Sequence, residues 1–498
     1  MSNNFKSFIS VLTEKVETCP DKIFCKEING NSITFDELDK LSSVISRFLI
    51  QEYSIKKGEV VSIQFGNSIA FVIYFIAVIR SGYIVNPIPV SATNHEVNLI
   101  LENLHGKLLV TQNIYENKMY CPMLHQSSDL NDINVYFKDF DFSSINYEKN
   151  QSITCVFLSS GSSGVVPKGI AHSNEVLIKT AFNFSSRLNF SPDSMHLAFL
   201  PCGNTSFIGH SLLPMLVMGG CLLIAPNYIS ISRKIWNIID ENNVDFVQVV
   251  PVIADAMRKS YLDVSNKNKR VLKYVSSGSA PLSIKQQDEF IKATSLDLVN
   301  TYGLSETGAI FFNLPGKDNY DMHSIGTPMQ NVKVKINSIN NNNFGELLVK
   351  SDTLFYGYYS NGKLNSDNKN DEGYFKTGDI ISFDNNQYYY IGRKDNLLIR
   401  AGVNISSEEI ESIILEIGIT CIVISLNNDR LGNILTCAYE NDKSSVFIED
   451  KISNICKERL TVIKRPTNFL NIASFPKTPT GKIKRNILIK EIMNRSEV

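Results

Sequence analysis

Eleven consecutive residues, Ser159-Ser160-Gly161-Ser162-Ser163-Gly164-Val165-Val166-Pro167-Lys168-Gly169, combine small hydroxyl side chains, glycines and one cation. Such residues leave backbone N–H groups free to converge on an anion, and the lysine adds charge at the far end. The preceding apolar run, Cys155-Val156-Phe157-Leu158, reads as a buried strand. In α/β proteins a phosphate loop stands in that position. The stretch is not a Walker A loop, because Pro167 precedes the lysine and Gly169 stands where that pattern has Ser or Thr. Taken alone, it is also compatible with a solvated surface loop.

Four further segments carry chemistry-bearing residues. Asn300-Thr301-Tyr302-Gly303-Leu304-Ser305-Glu306-Thr307-Gly308 ends a strand-like run, and Tyr374-Phe375-Lys376-Thr377-Gly378-Asp379 follows in β-like sequence. Gly392-Arg393-Lys394-Asp395 and Pro476-Lys477-Thr478-Pro479-Thr480-Gly481-Lys482-Ile483-Lys484-Arg485 complete the set. An isolated acid or lysine is ordinarily a solvated charge, so it is the ordered recurrence that signals a site. His172 and His210 read as structural histidines.

The elements that must position these residues are legible in outline. Short apolar runs at 156–158, 197–200, 221–225, 246–250, 272–276 and 298–302 alternate with helical stretches. That alternation predicts a largely parallel sheet with ligands at the strand carboxyl ends. Near the N-terminus, residues 24–28 run into Asn29-Gly30, the preferred dipeptide of a two-residue hairpin. Thr34-Phe35-Asp36-Glu37 is a capping box opening a helix with Leu38, Leu41 and Ile45 on one face. Residues 332–336, 346–350 and 388–391 are β-like, and polar stretches 337–343 and 361–373 read as surface loops. After Arg393 a second βα pattern begins. Its capping box is Ser406-Ser407-Glu408-Glu409, and its apolar stripe is Ile410, Ile413, Ile414 and Ile417.

A chain of 498 residues exceeds one core, so two or three domains are expected. An apolar fraction of 43% with 20% charged residues belongs to a globular protein. The net charge of −1 gives no basic footprint for nucleic acid or an anionic membrane. Nine cysteines without any C-x-x-C pair read as reduced thiols in a cytoplasmic protein. No signal peptide is expected from the first residues, and the most apolar segment, 70–79, is about half a membrane span and reads as core.

In order, spacing and wording, these motifs resemble the AMP-forming, or adenylate-forming, acid–thiol ligases. That family includes acyl-CoA synthetases, aryl-acid ligases, peptide-synthetase adenylation domains and firefly-type luciferases. The resemblance runs from Pro20-Asp21-Lys22 and Thr34 to the terminal Gly-Lys motif, essentially the whole chain. It implies an α/β fold with a large N-terminal domain, residues 1–393, of mainly parallel sheets plus a β-rich subdomain. A small mobile α+β domain, residues 394–498, would carry the catalytic lysine. The chemistry implied is ATP-dependent conversion of an aryl or fatty acid to an acyl-adenylate, with release of pyrophosphate. Thioester formation with CoA would follow. A stand-alone enzyme loading a phosphopantetheinyl carrier protein in trans is the alternative, and an inactive nucleotide-binding scaffold a remote one. The ionised acid is already a nucleophile, so the missing Ser/His/Asp constellation is no objection.

The resemblance also assigns roles. Ser159, Ser160, Gly161, Ser162, Ser163, Gly164 and Lys168 would hold the β- and γ-phosphates. Glu306, with Ser162, would bind Mg²⁺ beside Ser305. Tyr302 would stack on adenine in a pocket lined by Gly278, Ser279 and Ala280, with Asn300, Thr301 and Gly303 alongside. Asp379 would accept the ribose hydroxyls, assisted by Arg393, and Lys482 would lie on the α-phosphate and substrate carboxylate. Asn204, Thr205, Gly303 and Gly308 would line the acid pocket, and Asp395 would be the hinge.

Departures from the family pattern are specific. The phosphate loop carries one extra residue, Val165-Val166 before Pro167, and Ser163 replaces the usual Thr. Counting back from Pro214 and Gly219 puts Thr205 or Ser206 where amino-acid-activating relatives have an aspartate. That disfavours an ordinary α-amino acid, since a buried ammonium needs a counter-charge. Asn204 falls one residue from the asparagine of aryl-acid relatives, a hint of an aromatic or hydroxylated acid. The oligomeric expectation is a monomer or homodimer.

Overall fold

The computed structural model describes residues 7–53, 55–112, 121–123, 134–137, 152–158, 168–261, 271–280, 282–316, 320–338, 344–400, 403–428, 432–441, 446–477 and 483–496. Two nine-stranded sheets dominate. In the first, six parallel strands run in the order Asp297–Leu304, Tyr274–Ser277, Phe246–Val249, Met195–Ala198, Cys221–Ile224 and Ile23–Glu27. Antiparallel strands close both edges: Gly308–Phe312 and Thr327–Pro328 at one, Ser32–Thr34 at the other. The strands in the middle are buried almost throughout and read as apolar runs rather than alternating ones, as parallel strands covered on both faces must.

The second sheet corrects a sequence expectation. Cys155–Leu158 does not join the later βα strands but sits parallel to Ile84–Pro87 in the other sheet. It then pairs antiparallel with Gly169–His172, Leu158 opposite Gly169. The candidate phosphate loop therefore lies in sequence between two strands that pair antiparallel. Gly169 is required by packing: a Cβ there would stand 2.6 Å from the Tyr359 carbonyl oxygen and 2.7 Å from Val156 Cγ1.

Smaller features depart in detail. The N-terminal hairpin leaves residues 28–31 between its strands, more than a two-residue turn, with Gly30 at φ +104. Thr34 and Glu37 form the expected reciprocal cap, yet Leu41 faces solvent and Ser42 faces the core. The strand expected at 272–276 lies at Tyr274–Ser277, and Lys363–Asn365 is a strand inside an expected loop. Segment 70–79 is a buried helix, Ile69–Arg80. No helix among the described residues is long and apolar enough to cross a membrane.

A four-stranded antiparallel sheet, Lys333–Ser338, Phe344–Lys350, Phe375–Asp384 and Gln387–Arg393, follows. Beyond it stand a two-stranded sheet and the three strands Cys421–Asn428, Gly432–Glu440 and Asn468–Ile472. Two apolar clusters draw every member from residues 398–492, whereas the other four use residues 8–390. At the Ser406–Glu409 cap only half the box forms: Ser406 accepts the Glu409 N–H, while the Glu409 carboxylate binds Lys464 at 2.6 and 2.8 Å. Ile410 and Ile414 are buried there, and Ile417 is exposed.

Candidate functional site

Strand Asp297–Leu304, the turn after it, and strands Phe375–Asp384 and Gln387–Arg393 bring three groups of side chains together. The first is Asp379, only 2% exposed. Tyr302 donates its hydroxyl to Asp379 Oδ2 at 2.6 Å, and Arg393 Nη1 donates to Oδ1 at 2.8 Å. The cross-strand register explains the ion pair, since Asp379 lies directly opposite Arg393. Burial pushes the Tyr302 phenol well above its ordinary range, and the adjacent Asp379 charge adds to it. Burial works against the Arg393 charge, but Asp379, together with Tyr390 and Tyr302, outweighs it and the pKa is raised. The result is a fixed carboxylate backed by a cation.

The second group lies four residues further along. Tyr358 donates its hydroxyl to Glu306 Oε1 at 3.0 Å, and the Phe355 N–H donates to the Glu306 carbonyl at 2.8 Å. Lys168 Nζ stands 5.5 Å from the centroid of the Tyr358 ring. Sequence reasoning found Glu306 and Lys168 but missed Tyr358. One aromatic among Phe355, Tyr356, Tyr358 and Tyr359 gives no sign of which faces the site.

The third group surrounds Ser305. Its hydroxyl and that of Thr205 share a hydrogen bond of 3.2 Å, and its carbonyl accepts from His172 Nε2 at 2.8 Å. A carbonyl only accepts, so Nε2 carries a proton in this contact. Burial drives its pKa from 6.5 down to about 4, against a smaller opposing effect of the Ser305 bond. Buried His210 is likewise lowered to about 4, stacked on Phe184 with ring centroids 4.6 Å apart.

Thr205 precedes a π turn, Ile208–Leu212, that runs into the helix Leu213–Met218. A π turn closes i→i+5 bonds and absorbs an extra residue relative to an α-helical turn.

Gly278 ends up beside Thr301. A Cβ there would lie 2.9 Å from the Thr301 carbonyl oxygen and 3.0 Å from Gln248 Nε2. Ser279, at φ +67, and Ala280 are exposed next to it. Asn300 and Thr301 have partners within the protein: Asn300 donates to the Ser324 carbonyl, and the Thr301 hydroxyl shares a bond with that of Ser276. Gly303 pairs with Ala309 across the 302–308 turn, and Gly308 packs on Thr180. Gln248 is a second residue that sequence reasoning missed. It is 5% exposed, and its amide oxygen has no hydrogen-bond partner.

Asp395 lies apart from these groups, exposed in the short turn Lys394–Asn396. Its neighbours are tied on both sides. Lys394 pairs with buried Glu346 at 2.9 Å, and Glu408 Oε1 accepts from the Arg393 N–H and from Asn396 Nδ2. Ser159, Ser160, Gly161, Ser162, Ser163, Gly164 and Lys482 lie outside the described residues.

Comparison with known proteins follows the same lines. The family model for AMP-binding enzymes matches residues 12–359. The medium-chain fatty-acid–CoA ligase of Escherichia coli is 23% identical, with 96% of this chain and 88% of that protein covered. The oxalate–CoA ligase of Arabidopsis thaliana is also 23% identical, covering 98% and 99%. Among solved structures, ATP-bound MatB from Rhodopseudomonas palustris superposes with a TM-score of 0.81 at 19% identity over 98% of both chains. MenE from Bacillus subtilis, in complex with its acyl-adenylate intermediate, reaches 0.80 at 20% identity over 96% and 97%. With its family match spanning residues 12–359, the chain belongs to the AMP-binding enzymes.

Proposed function

We propose that this protein joins a carboxylic acid to ATP, releases pyrophosphate, and passes the acyl group to the thiol of CoA. One observation carries the reading: Tyr302 and Glu306 share one strand and turn, the first locked to Asp379 and Arg393, the second to Tyr358 beside Lys168. A nucleotide laid along that strand would meet a ribose acceptor at one end and a phosphate-side carboxylate and cation at the other. The CoA-ligase relatives support CoA as the acceptor.

In the first step a carboxylate oxygen bonds to the α-phosphorus and the bond to the pyrophosphate oxygen breaks. In the second the thiolate bonds to the acyl carbon and AMP leaves. Both reactants of the first step are anions, so cations and N–H donors supply the stabilisation. Asp379 takes the ribose hydroxyls, and Gly278, Ser279 and Ala280 with Tyr302 flank the base. Lys168 and the loop from Ser159 to Gly164 hold the departing phosphates, and Lys482 offsets charge at the α-phosphate. Among the described residues no three His, Cys, Asp or Glu gather as a metal cage. A single carboxylate such as Glu306, joined by Ser162, fits Mg²⁺, which keeps waters and takes substrate phosphate oxygens. Bound there, the ion would neutralise phosphate charge. The acid would lie near Asn204, Thr205, Gly303 and Gly308.

We place the domain boundary at residues 393–394 and the hinge at Asp395, supported by the two apolar clusters confined to residues 398–492. Lys482→Ala then lowers adenylation about 10²–10³-fold, as for one lost charge-stabilising donor. Thioester formation from supplied acyl-adenylate stays near wild type, and an equal loss in both halves would remove the hinge. A cytoplasmic location is supported by the eight cysteines among the described residues other than Cys121, none of which is in a disulfide.

The deciding experiment is ATP–pyrophosphate exchange over a panel of aryl, fatty and short dicarboxylic acids, followed by thioester assay with CoA and with phosphopantetheinylated carrier protein. Exchange with at least one acid and a CoA thioester is the expected result. ATP binding without exchange for any acid would make the chain a nucleotide-binding scaffold. Transfer to the carrier alone would change the acceptor.

A further inference from the structure

We propose that Tyr358 is a positioning residue that sets the Glu306 carboxylate and seats the Lys168 end of the phosphate loop. The inference rests on the reading of Glu306 and Lys168 as phosphate-side groups. Strand Gly357–Ser360 pairs antiparallel with Gly169–His172, placing Tyr358 opposite Ile170 and Tyr359 opposite Gly169. Side chains alternate across a strand. Tyr359, 1% exposed, enters the core, while Tyr358 turns to the other face and reaches Glu306. The absence of a side chain at Gly169 lets these strands approach, so the residue next to Lys168 is pinned by the strand that carries Tyr358.

Glu306 is held at two points by one short segment. The Phe355 N–H takes its backbone carbonyl, and the Tyr358 hydroxyl takes its carboxylate. The rings of Phe355 and Tyr358 meet edge to face at 4.9 Å, which limits how far the phenol can swing. Burial, and then the Glu306 charge, raise the Tyr358 pKa, so the phenol keeps its proton and remains a donor at working pH. The same ring offers a face to the Lys168 ammonium. A carboxylate that is to meet a cation and phosphate oxygens gains from a fixed rotamer. Donation to only one oxygen leaves the other available for that meeting.

Two variants separate the two contacts. Tyr358→Phe keeps the ring under Lys168 and deletes the hydroxyl, and Tyr358→Leu removes both. Binding of ATP with and without Mn²⁺, followed by calorimetry and Mn²⁺ spin resonance on the full chain, requires no acid substrate. Tyr358→Phe should weaken Mn²⁺ binding to the ATP complex about tenfold, the lower end for one hydrogen bond to a charged group. Metal-free ATP binding and the thermal midpoint should stay as in wild type. Tyr358→Leu should also weaken direct binding of pyrophosphate, read by calorimetry, about threefold, for one exposed cation–π contact. In the background of Glu306→Gln, Tyr358→Phe should add no further loss, since it acts through that carboxylate.

Unchanged Mn²⁺ binding in Tyr358→Phe, or equal losses with and without metal, would overturn the proposal. Wild-type protein that binds Mn·ATP but gives no exchange with any acid would instead overturn the functional reading and leave the Tyr358 comparison decisive in its own right.

Discussion

The two ends of the candidate nucleotide site are built differently. Around Asp379 the carboxylate is 2% exposed, carries a buried phenol on one oxygen and a guanidinium on the other, and sits on two paired strands. Around Glu306 a carboxylate in a turn is fixed by one phenol, and the nearby cation, Lys168, is exposed just before a paired strand. The difference follows the chemistry proposed. Base and ribose stay in place from ATP to AMP, so their acceptor can be rigid and prepaid in folding. The phosphates beyond the α position must leave as pyrophosphate, so the carboxylate and cation proposed to hold them, Glu306 and Lys168, lie outside paired strands. A carboxylate fixed through both oxygens at one end and through a single oxygen at the other implies unequal sensitivity to mutation.

Among changes at these two ends, the largest effect should come from Asp379→Asn. It removes the charge that Arg393 answers and leaves a guanidinium without its counter-ion. Stability should fall by about 2–3 kcal/mol, at the lower side for a broken buried pair because Arg393 is 38% exposed. Exchange activity should fall about 10²-fold, the low end for a lost electrostatic contact. Urea unfolding and exchange kinetics measure the two separately. A smaller loss than that of Glu306→Gln in both assays would invert the comparison.

Gly278→Ala comes next. Its Cβ would stand 2.9 Å from a backbone oxygen, which cannot move as a side-chain tip can. Overpacking of this kind costs about 1–3 kcal/mol. The KM for ATP should rise more than kcat falls, because the intrusion is beside the proposed base pocket. An unchanged KM would detach Gly278 from that pocket. Tyr302→Phe is milder: it deletes one donor to Asp379 while Arg393 remains, for about 1–1.5 kcal/mol and a severalfold rise in the KM for ATP. A Phe variant indistinguishable from wild type would mean that Arg393 alone orients the carboxylate.

Much of this was legible in the sequence, for identifiable reasons. Buried parallel strands announce themselves as apolar runs, and Thr34–Glu37 announces a cap because both partners are local. The alternation of runs did not tell which sheet each joins. Cys155–Leu158 went to the second sheet because its partners, Ile84–Pro87 and Gly169–His172, lie on either side of it in sequence rather than one βα unit later. Asp379, Arg393 and Glu306 could be named from motifs, while their contacts depend on register across distant strands. Tyr358 and Gln248 lacked any local signal, since what marks them is a distant acceptor in one case and a missing partner in the other.

The smallest effect at neutral pH, and the last test of the contrast, is His172→Gln. His172 supports the turn before Glu306 by donating to the Ser305 carbonyl, a bond that glutamine can copy. In the folded protein its pKa is about 4, against 6.5 when unfolded. Between those values the unfolded chain binds a proton that the folded chain refuses. Stability is therefore fully present above about pH 6.5 and is lost as the pH falls toward 4, at up to about 1.4 kcal/mol per pH unit for this histidine. His210, lowered to about 4, and His196, lowered to about 3, act in the same direction, so the wild-type slope is the sum of several such protons. Glutamine does not titrate, so the variant should match wild type at pH 7.5 and become the more stable of the two below pH 6, by a margin that grows toward pH 4.5. Equal slopes of stability against pH, measured by urea unfolding, would show that His172 is protonated in the folded state. The Ser305 turn would then rest on a charged donor, as rigidly held as the Asp379 end.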